Sequence, residues 1–245
     1  MKYVTLKTMI VLCLLSLASQ APAWNDKTHL AIAKVAEFDL WYNCAGPDIA
    51  KLKAGNIESY NHWFNNTAQA EITPQMVLDQ IERYNKRNKI LDVEGHLLGA
   101  IIASLRAYEK DIQSGKYNMY HLVYCAHYIG DLTMPLHNIA YDDFNRDHHQ
   151  ANDGIVEDTI LKEPEKISKH MYPITLSKKD FEADLAREIA RIANLSRILG
   201  YKLRAEKRDM TKQEAYIQLG HSASLFKAVL QHYNKMSTSA KDAVN

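Results

Sequence analysis

The stretch HLVYCAHYIGDLTMPLH, from His121 to His137, constrains the fold more than any other part of this chain. His127 and Asp131 are four residues apart, so on a helix they lie on one face and can reach a common cation. Pro135 cannot continue a helix, so the pattern predicts a turn just before it, with His137 beyond that turn. Two imidazoles and a carboxylate are ligands typical of zinc rather than calcium. Because an isolated pair with this spacing is more often a hydrogen bond than a metal site, the interpretation depends on the rest of the chain.

The composition predicts a single all-α domain. A chain of 245 residues, 47% of them apolar, is long enough to bury one sizeable core, and 9 Gly and 6 Pro are few for a fold rich in turns. Capping-box patterns beginning at Ser177 and Thr211 predict helices over 178–200 and 212–235, whose apolar stripes should be core. Leu195 belongs to the first stripe. The net charge of +1 lacks the basic surface typical of proteins that bind duplex nucleic acid.

Residues 1–23 have the pattern of a secretory signal peptide. A basic start precedes an apolar run over 9–17 that is too short to span a membrane, and small residues end the segment at Ala23. Cleavage there would make Trp24 the first residue of the mature chain, although a cut after Ala18 is an alternative. We therefore expect export to the periplasm or the medium, no transmembrane anchor after cleavage, a domain over 24–236 and a flexible tail over 237–245.

Two cysteines, Cys44 and Cys125, follow the predicted cleavage site. Exported proteins meet an oxidising compartment, so these residues could form one disulfide that braces the site from behind. The alternative is a pair of buried free thiols.

Further candidate ligands lie on both sides of the central helix. Asp48 follows a Gly-Pro turn, and His62 lies in an aromatic cluster that suits a pocket wall as well as a core. Later, His149 and Asp153 are again four residues apart, in a polar stretch that would otherwise be a solvated loop. For these two positions the sequence leaves neighbouring alternatives open, namely His148 and Glu157.

The first residues after the predicted cleavage site can also bind metal. If Trp24 is the N-terminus, its amine and carbonyl oxygen form a five-membered chelate, and His29 could complete that site. The alternative is a partly exposed helix histidine beside a packing tryptophan.

In these residues the chain resembles the superfamily of zinc-dependent phospholipases C and single-strand-specific zinc nucleases. The resemblance extends from Trp24 to Glu157 and includes five features in the same order. These are an N-terminal tryptophan (Trp24), an early helix histidine (His29), an aspartate and a histidine fourteen residues apart (Asp48 and His62), the central motif (His127, Asp131, Pro135 and His137), and a histidine with an acid four residues later (His149 and Asp153).

The resemblance implies a trinuclear zinc site in a cleft between helices. The first zinc would be bound by Asp48, His62, His127 and Asp131, the second by His137, His149 and Asp153, and the third by the Trp24 amine and carbonyl with His29 and Asp131. Asp48 could also orient the attacking water. Lys51 is placed to contact phosphate if its segment is helical, and a solvated lysine is the alternative.

Two residues favour a nucleotide substrate. Trp63 directly follows His62, where the nucleases of this superfamily place an aromatic ring against a base, and such stacking tolerates any base. Asn65 could form a hydrogen bond with a base edge. However, the asparagine that follows the last acid in the nucleases is replaced here by Gly154.

Compact spacing favours the phospholipase branch. The intervals from Asp48 to His62 and from His137 to His149 are short, as in the phospholipases, although Lys27 stands where those enzymes have a choline-binding glutamate. We therefore expect a monomeric, phospholipase C-like hydrolase of phosphodiesters with three Zn²⁺ ions. A single-strand nuclease or 3′-nucleotidase, acting without a stable nucleic-acid complex, is the alternative on the same cluster. A non-catalytic, exported zinc-binding helical protein is the alternative of another class.

Overall fold

The computed structural model describes residues 24–86, 92 and 94–242, without the side chains of Asn56 and of 235–242. The predicted signal peptide over 1–23 and the last three residues of the predicted tail lie outside this part. The described residues form helices and no strand, which confirms the all-α class. The α-helices are α1 (Asp26–Val35), α2 (Gly46–Ala54), α3 (Asn56–Ser59), α4 (Pro74–Gln80), α5 (Leu97–Gln113), α6 (Met119–Leu132), α7 (Asp143–Asp153), α8 (Glu165–Ser168), α9 (Phe181–Glu206) and α10 (Lys212–Asp242). Short 3₁₀ helices cover Trp41–Asn43, Ile81–Arg83, Pro135–Asn138 and Ile160–Lys162.

A hairpin of α5 and α6 forms the centre of the larger core cluster. Leu98, Ile101 and Ile102 of α5 are buried against Leu122 and Ile129 of α6 and against the apolar faces of α9 and α10. These residues follow the 3.6-residue period of an amphipathic helix, so packing rather than intrinsic propensity fixes the pair. The hairpin holds the His–Asp face of α6 at the middle of the fold.

The turn after α6 has the form that the sequence predicts. The helix ends at Leu132, and Pro135 opens a 3₁₀ turn that contains His137. The side-chain amide of Asn138 donates hydrogen bonds to the carbonyl oxygens of Leu132 at 2.8 Å and Met134 at 3.1 Å. These bonds satisfy the last carbonyl of α6 and one carbonyl of the turn, both of them buried, and hold His137 back against the helix.

The last two long helices differ from prediction at their ends. The Thr211 capping box is confirmed, since the Glu214 amide donates to Thr211 Oγ1 at 3.1 Å and the Thr211 amide donates to Glu214 Oε2 at 2.9 Å. At Ser177 only half of the capping box forms: Ser177 Oγ accepts from the Asp180 amide at 3.0 Å, but the Ser177 amide donates to Asp184 Oδ2 at 2.8 Å. The helix α9 begins later than predicted, at Phe181. The expectation that Leu195 is core was wrong, because its side chain is 38% exposed.

The last helix continues to Asp242, well past its predicted end at residue 235. Among the described residues, no helix is both long enough and apolar enough to cross a membrane.

Candidate metal centre

His127 and Asp131 lie on one buried face of α6, as their spacing predicts, and both are completely shielded from solvent. His127 Nδ1 is 2.8 Å from the backbone oxygen of Cys44, which can only accept, so Nδ1 carries the proton and donates. The lone pair of His127 therefore lies on Nε2, which is 3.4 Å from Asp131 Oδ2. This arrangement presents one imidazole nitrogen and one carboxylate oxygen to a common point.

Two further side chains converge on that point. His62 Nδ1 is 3.0 Å from Asp131 Oδ2 and 3.2 Å from His127 Nε2. Asp48 Oδ1 lies 3.7 Å from both His62 Nδ1 and His127 Nε2. The donor atoms of Asp48, His62 and His127 all lie within 4.8 Å of one another, a separation that one cation can bridge. We call Asp48, His62, His127 and Asp131 the first group.

His29 joins the same centre from α1. Its Nε2 is 3.3 Å from the second oxygen of Asp131, Oδ1, and its ring stacks on His127 with centroids 3.8 Å apart. Gly130 makes this approach possible, because a Cβ at that position would lie 2.6 Å from His29 Nδ1. Asp131 therefore directs one oxygen to the first group and the other to His29.

Trp24 begins the described chain beside this centre. Its side chain is fully buried in the smaller core cluster, with Ile32 and Met134. The next amide, of Asn25, donates to the Asp153 carbonyl oxygen at 3.3 Å, so the start of α1 lies against the end of α7.

A second group forms where the 3₁₀ turn meets α7. His137 Nε2 faces His149 Nε2 at 3.1 Å, and His149 Nε2 is 3.6 Å from Asp153 Oδ2. His149 Nδ1 lies 2.6 Å from the Asn145 side-chain oxygen, which orients the ring with Nε2 inward. Asn145 is fixed in turn by donating to the Leu136 carbonyl oxygen at 2.7 Å. We call His137, His149 and Asp153 the second group.

The structure places the sequence alternatives for the second group elsewhere. His148 Nδ1 pairs with Asp209 at 2.7 Å near the surface. Glu157 accepts hydrogen bonds from the amides of Lys27 at 3.0 Å and Thr28 at 3.1 Å, and so caps the start of α1. His149 and Asp153 are therefore the members of each pair that face the centre.

Burial controls protonation in both groups. It lowers the pKa of His127 to about 3 and that of His149 to about 4, and it lowers the pKa values of His62 and His137 below their usual range. These four imidazoles are therefore neutral at pH 7, which is the form that binds metal. Burial also raises the pKa of Asp131 to about 7 and that of Asp153 well above its usual range, because a buried carboxylate lacks hydration. A bound cation would reverse this effect on the acids.

The carboxylates supply the clearest test of whether a cation fits. Within the described part of the chain, no group donates a hydrogen bond to either oxygen of Asp153, to Asp131 Oδ1 or to Asp48 Oδ2. Neither nitrogen of His29 has an aligned hydrogen bond. Buried polar atoms normally have partners, so this concentration of unpaired donor atoms fits a divalent cation.

Lys51 enters the centre from α2, one helical turn after Asp48. Its Nζ donates to Asp48 Oδ1 at 2.8 Å, and the two side chains are only 9% and 12% exposed. Burial by itself would raise the pKa of Asp48, but the neighbouring His127 imidazole and the charge and hydrogen bond of Lys51 hold that pKa below its usual value. The alternative of a solvated lysine is therefore wrong, and the segment that contains Lys51 is helical, as its placement beside the centre requires.

Trp63 and Asn65 lie on the segment after His62, whose backbone is hydrogen-bonded to the turn that holds His137. The intervening Phe64 amide donates to the His137 carbonyl oxygen at 2.9 Å. The half-buried Trp63 ring packs against Gly95, whose φ is +73° and where a Cβ would lie 2.7 Å from the ring. The ring is therefore held as a fixed platform.

The proposed disulfide is absent. Cys44 and Cys125 are both buried and both free. Burial raises the pKa of Cys125 to about 12 and raises that of Cys44 as well, so both remain protonated. The Cys44 backbone, rather than its thiol, serves the centre by accepting the His127 hydrogen bond.

The sequence did not identify three supporting groups, namely the Cys44 carbonyl, Glu58 and Asn145. Glu58 and Asn145 each lie four residues before a candidate ligand, His62 and His149. That interval is the one signal that could have identified them.

No family model matches this chain, and no curated protein matches it.

Proposed function

We propose that this protein is a zinc-dependent phosphoric ester hydrolase of the phospholipase C type. One observation carries the proposal. Eight imidazole and carboxylate side chains with little or no solvent exposure, from parts of the chain more than 120 residues apart, converge in two adjoining groups: His29, Asp48, His62, His127, Asp131, His137, His149 and Asp153. In four of them, His29, Asp48, Asp131 and Asp153, donor atoms have no hydrogen-bond partner. Such a cluster is costly to bury without cations, so a structural role alone accounts for it poorly.

Zinc suits the donor set better than other common cations. Five imidazoles and three carboxylates favour zinc over calcium or magnesium, which prefer oxygen ligands. The first group would hold one ion and the second group another. His29, Asp131 and the amine and carbonyl of Trp24 would hold a third once Trp24 is the first residue. Asp131 could contribute to both of these sites, because its Oδ1 faces His29 and its Oδ2 faces His62.

Asp48 and Lys51 would have separate roles in the reaction, beside that of the zinc ions. When bound, the zinc ions would lower the pKa of a coordinated water and offset charge on the phosphoryl oxygens. Asp48 is the most exposed carboxylate of the cluster and can accept a proton from the attacking water or orient it. Lys51 holds a positive charge in a nearly dry site, where it can bind a phosphoryl oxygen. The protein would act after export, as a monomer, on phosphodiesters.

A nuclease or 3′-nucleotidase is the second candidate, and Trp63 is the observation that favours it. Its ring is half-buried, fixed against Gly95 and one residue from His62. A base could stack on it while the phosphate reaches the cluster. Comparing phospholipid with single-stranded nucleic acid as substrates distinguishes the two candidates.

The first test is hydrolysis of bis(p-nitrophenyl) phosphate, a generic phosphodiester, with and without chelator and after zinc is restored. We expect activity that chelator removes and zinc restores. Zinc-loaded protein without hydrolysis of any phosphodiester would instead support the non-catalytic zinc-binding alternative.

The second test is the variant Lys51→Met, with Lys53→Met as its matched control on the exposed side of the same helix. Loss of a positive group that stabilises transition-state charge should lower kcat by about 100-fold, with zinc content unchanged. The control should keep full activity on the same soluble diester. Equal activity in both variants would remove Lys51 from the mechanism.

A further inference from the structure

Two large aliphatic side chains on α2 are unusually exposed. Ile49 is 64% and Leu52 is 80% exposed, and they lie three residues apart, so they share one side of the helix. Lys53 follows them and is also exposed. Single exposed apolar residues are normal, but an adjacent pair beside a binding site suggests an interaction surface.

This aliphatic pair lies on the helix that carries Asp48 and Lys51, two side chains of the metal centre that keep some solvent exposure. Leu52 is four residues after Asp48, so it stands one turn, about 5.4 Å, further along the same side of α2. Asp48 and Lys51 are 12% and 9% exposed, whereas the side chains of His29 and Asp131 are 0% exposed. The centre therefore meets solvent mainly along α2. Tyr141, which is 50% exposed, has its ring 6.3 Å from that of His149 and borders the second group.

We propose that Ile49, Leu52, Lys53 and Tyr141 form a rim that docks the centre onto a phospholipid bilayer. This inference rests on the proposed function and specifies its substrate as lipid within a membrane. The scissile phosphodiester of a phospholipid lies directly above the acyl chains. An enzyme that reaches it from water therefore needs apolar side chains at the depth of its reactive centre.

The chemistry of the rim favours a bilayer over nucleic acid. Ile49 and Leu52 are aliphatic, so a nucleobase cannot stack on them as it does on an aromatic ring. They can instead enter the boundary between the headgroups and the acyl chains of a bilayer. Lys53 adds positive charge next to them, which suits the headgroup phosphates of a membrane surface. A second copy of this chain is the competing occupant of an exposed apolar pair, and the experiment includes it as an outcome.

The test compares three zinc-loaded proteins: the wild type, the double variant Ile49→Ser/Leu52→Ser, and a control, Leu195→Ser/Ile198→Ser. The control removes a second exposed aliphatic pair, with exposures of 38% and 59%, from α9, which contributes no side chain to the centre. Binding is measured by co-sedimentation with vesicles of phosphatidylcholine containing a minor share of phosphatidylglycerol. Hydrolysis is measured on the same vesicles and on bis(p-nitrophenyl) phosphate.

We expect the rim variant to lose about tenfold or more of its vesicle binding and vesicle hydrolysis, because two buried aliphatic side chains are removed from the lipid contact. Its hydrolysis of the soluble diester should equal that of wild type, and the control should match wild type throughout. Equal vesicle binding by all three proteins would overturn the inference. A wild-type dimer that becomes monomeric in the rim variant would assign the surface to a second copy instead.

The failure of docking and the failure of the proposed function give different results. If the wild type cleaves the soluble diester but binds no vesicle, the docking rim is wrong and the proposed hydrolase activity stands. If the wild type sediments with vesicles, the rim variant does not, and neither protein cleaves a diester, the proposed hydrolase activity is wrong and the lipid-binding surface stands.

Discussion

Glu58 lies four residues before His62, and its Oε1 is 3.3 Å from Nε2 of that imidazole. The opposite ring nitrogen, Nδ1, faces the first group. Glu58 is itself held by hydrogen bonds donated by Tyr128 at 2.7 Å and Asn61 at 3.1 Å. A carboxylate behind a histidine ligand fixes the ring orientation and increases the basicity of the nitrogen that binds metal.

We predict that Glu58→Ala weakens zinc binding by about 10- to 100-fold, because this support of His62 is lost. Glu58→Gln, which keeps the shape, should show a smaller loss. Titration with zinc under competition from a chelator measures the affinity. Glu109→Ala is the control, since Glu109 also accepts a tyrosine hydroxyl, at 2.9 Å from Tyr233, but contacts no candidate ligand. Equal affinities in all variants would show that Glu58 serves only packing.

The N-terminal amine gives the second prediction. A protein whose first residue is Trp24 should bind about three zinc ions per chain, while a copy with one extra residue before Trp24 should bind one fewer. The physical reason is that an acylated nitrogen is no longer a donor for the metal. Elemental analysis measures the content, and a copy with one extra residue after Asn245 is the control. Identical zinc content in the three proteins would exclude a role for the amine.

The adjacent histidines of α7 provide a third prediction. His149→Ala should lose one zinc ion because its Nε2 faces His137 and Asp153. His148→Ala should keep full zinc content, since His148 pairs with Asp209 near the surface. Metal counting on both variants is sufficient. A reversed result would mean that α7 is rotated relative to its placement in the structure.

The capping box of α10 predicts how stability depends on pH. The hydrogen bond from Arg208 lowers the pKa of Glu214 to about 2, although partial burial opposes this. Because the pKa is lower in the folded state than in the unfolded state, the ionised group stabilises the fold above pH 4.5. This contribution is lost as pH falls from about 4.5 to 2.

After allowance for solvent screening, we expect Glu214 to contribute about 1–2 kcal/mol to the free energy of unfolding at pH 7. Urea unfolding from pH 7 down to pH 2 measures it. Glu214→Gln should be less stable at pH 7 and should lack this part of the acid dependence. Glu71→Gln, at an exposed position, should behave like wild type. A wild-type pH profile in Glu214→Gln would contradict the prediction.

Local spacing was sufficient to predict much of the helical fold. The interval between His127 and Asp131 and the break at Pro135 depend on helix geometry and proline sterics, which act over a few residues. The structure has both as predicted. In contrast, the start of α9 at Phe181 and the exposure of Leu195 depend on which face each neighbouring helix covers. No local pattern contains that information.

The candidate centre shows the same division between local and tertiary information. The sequence named the side chains with metal-binding chemistry, and the choice between His148 and His149 required the packing of α7 against the 3₁₀ turn. The Cys44 carbonyl that orients His127 has no sequence signal, because every residue has a carbonyl. Two thiols at fixed positions likewise cannot reveal whether their side chains meet in bonding geometry.

Gly130 separates His127 from Asp131 along the chain, yet its lack of a side chain matters most to His29, on another helix. A single added methyl group there would occupy the space of the imidazole ring. A chain could thus keep every candidate ligand in its sequence and still lose one of them in three dimensions. The presence of the histidines and acids in a sequence is therefore not sufficient to predict this centre, because the centre also requires a position without a side chain at residue 130.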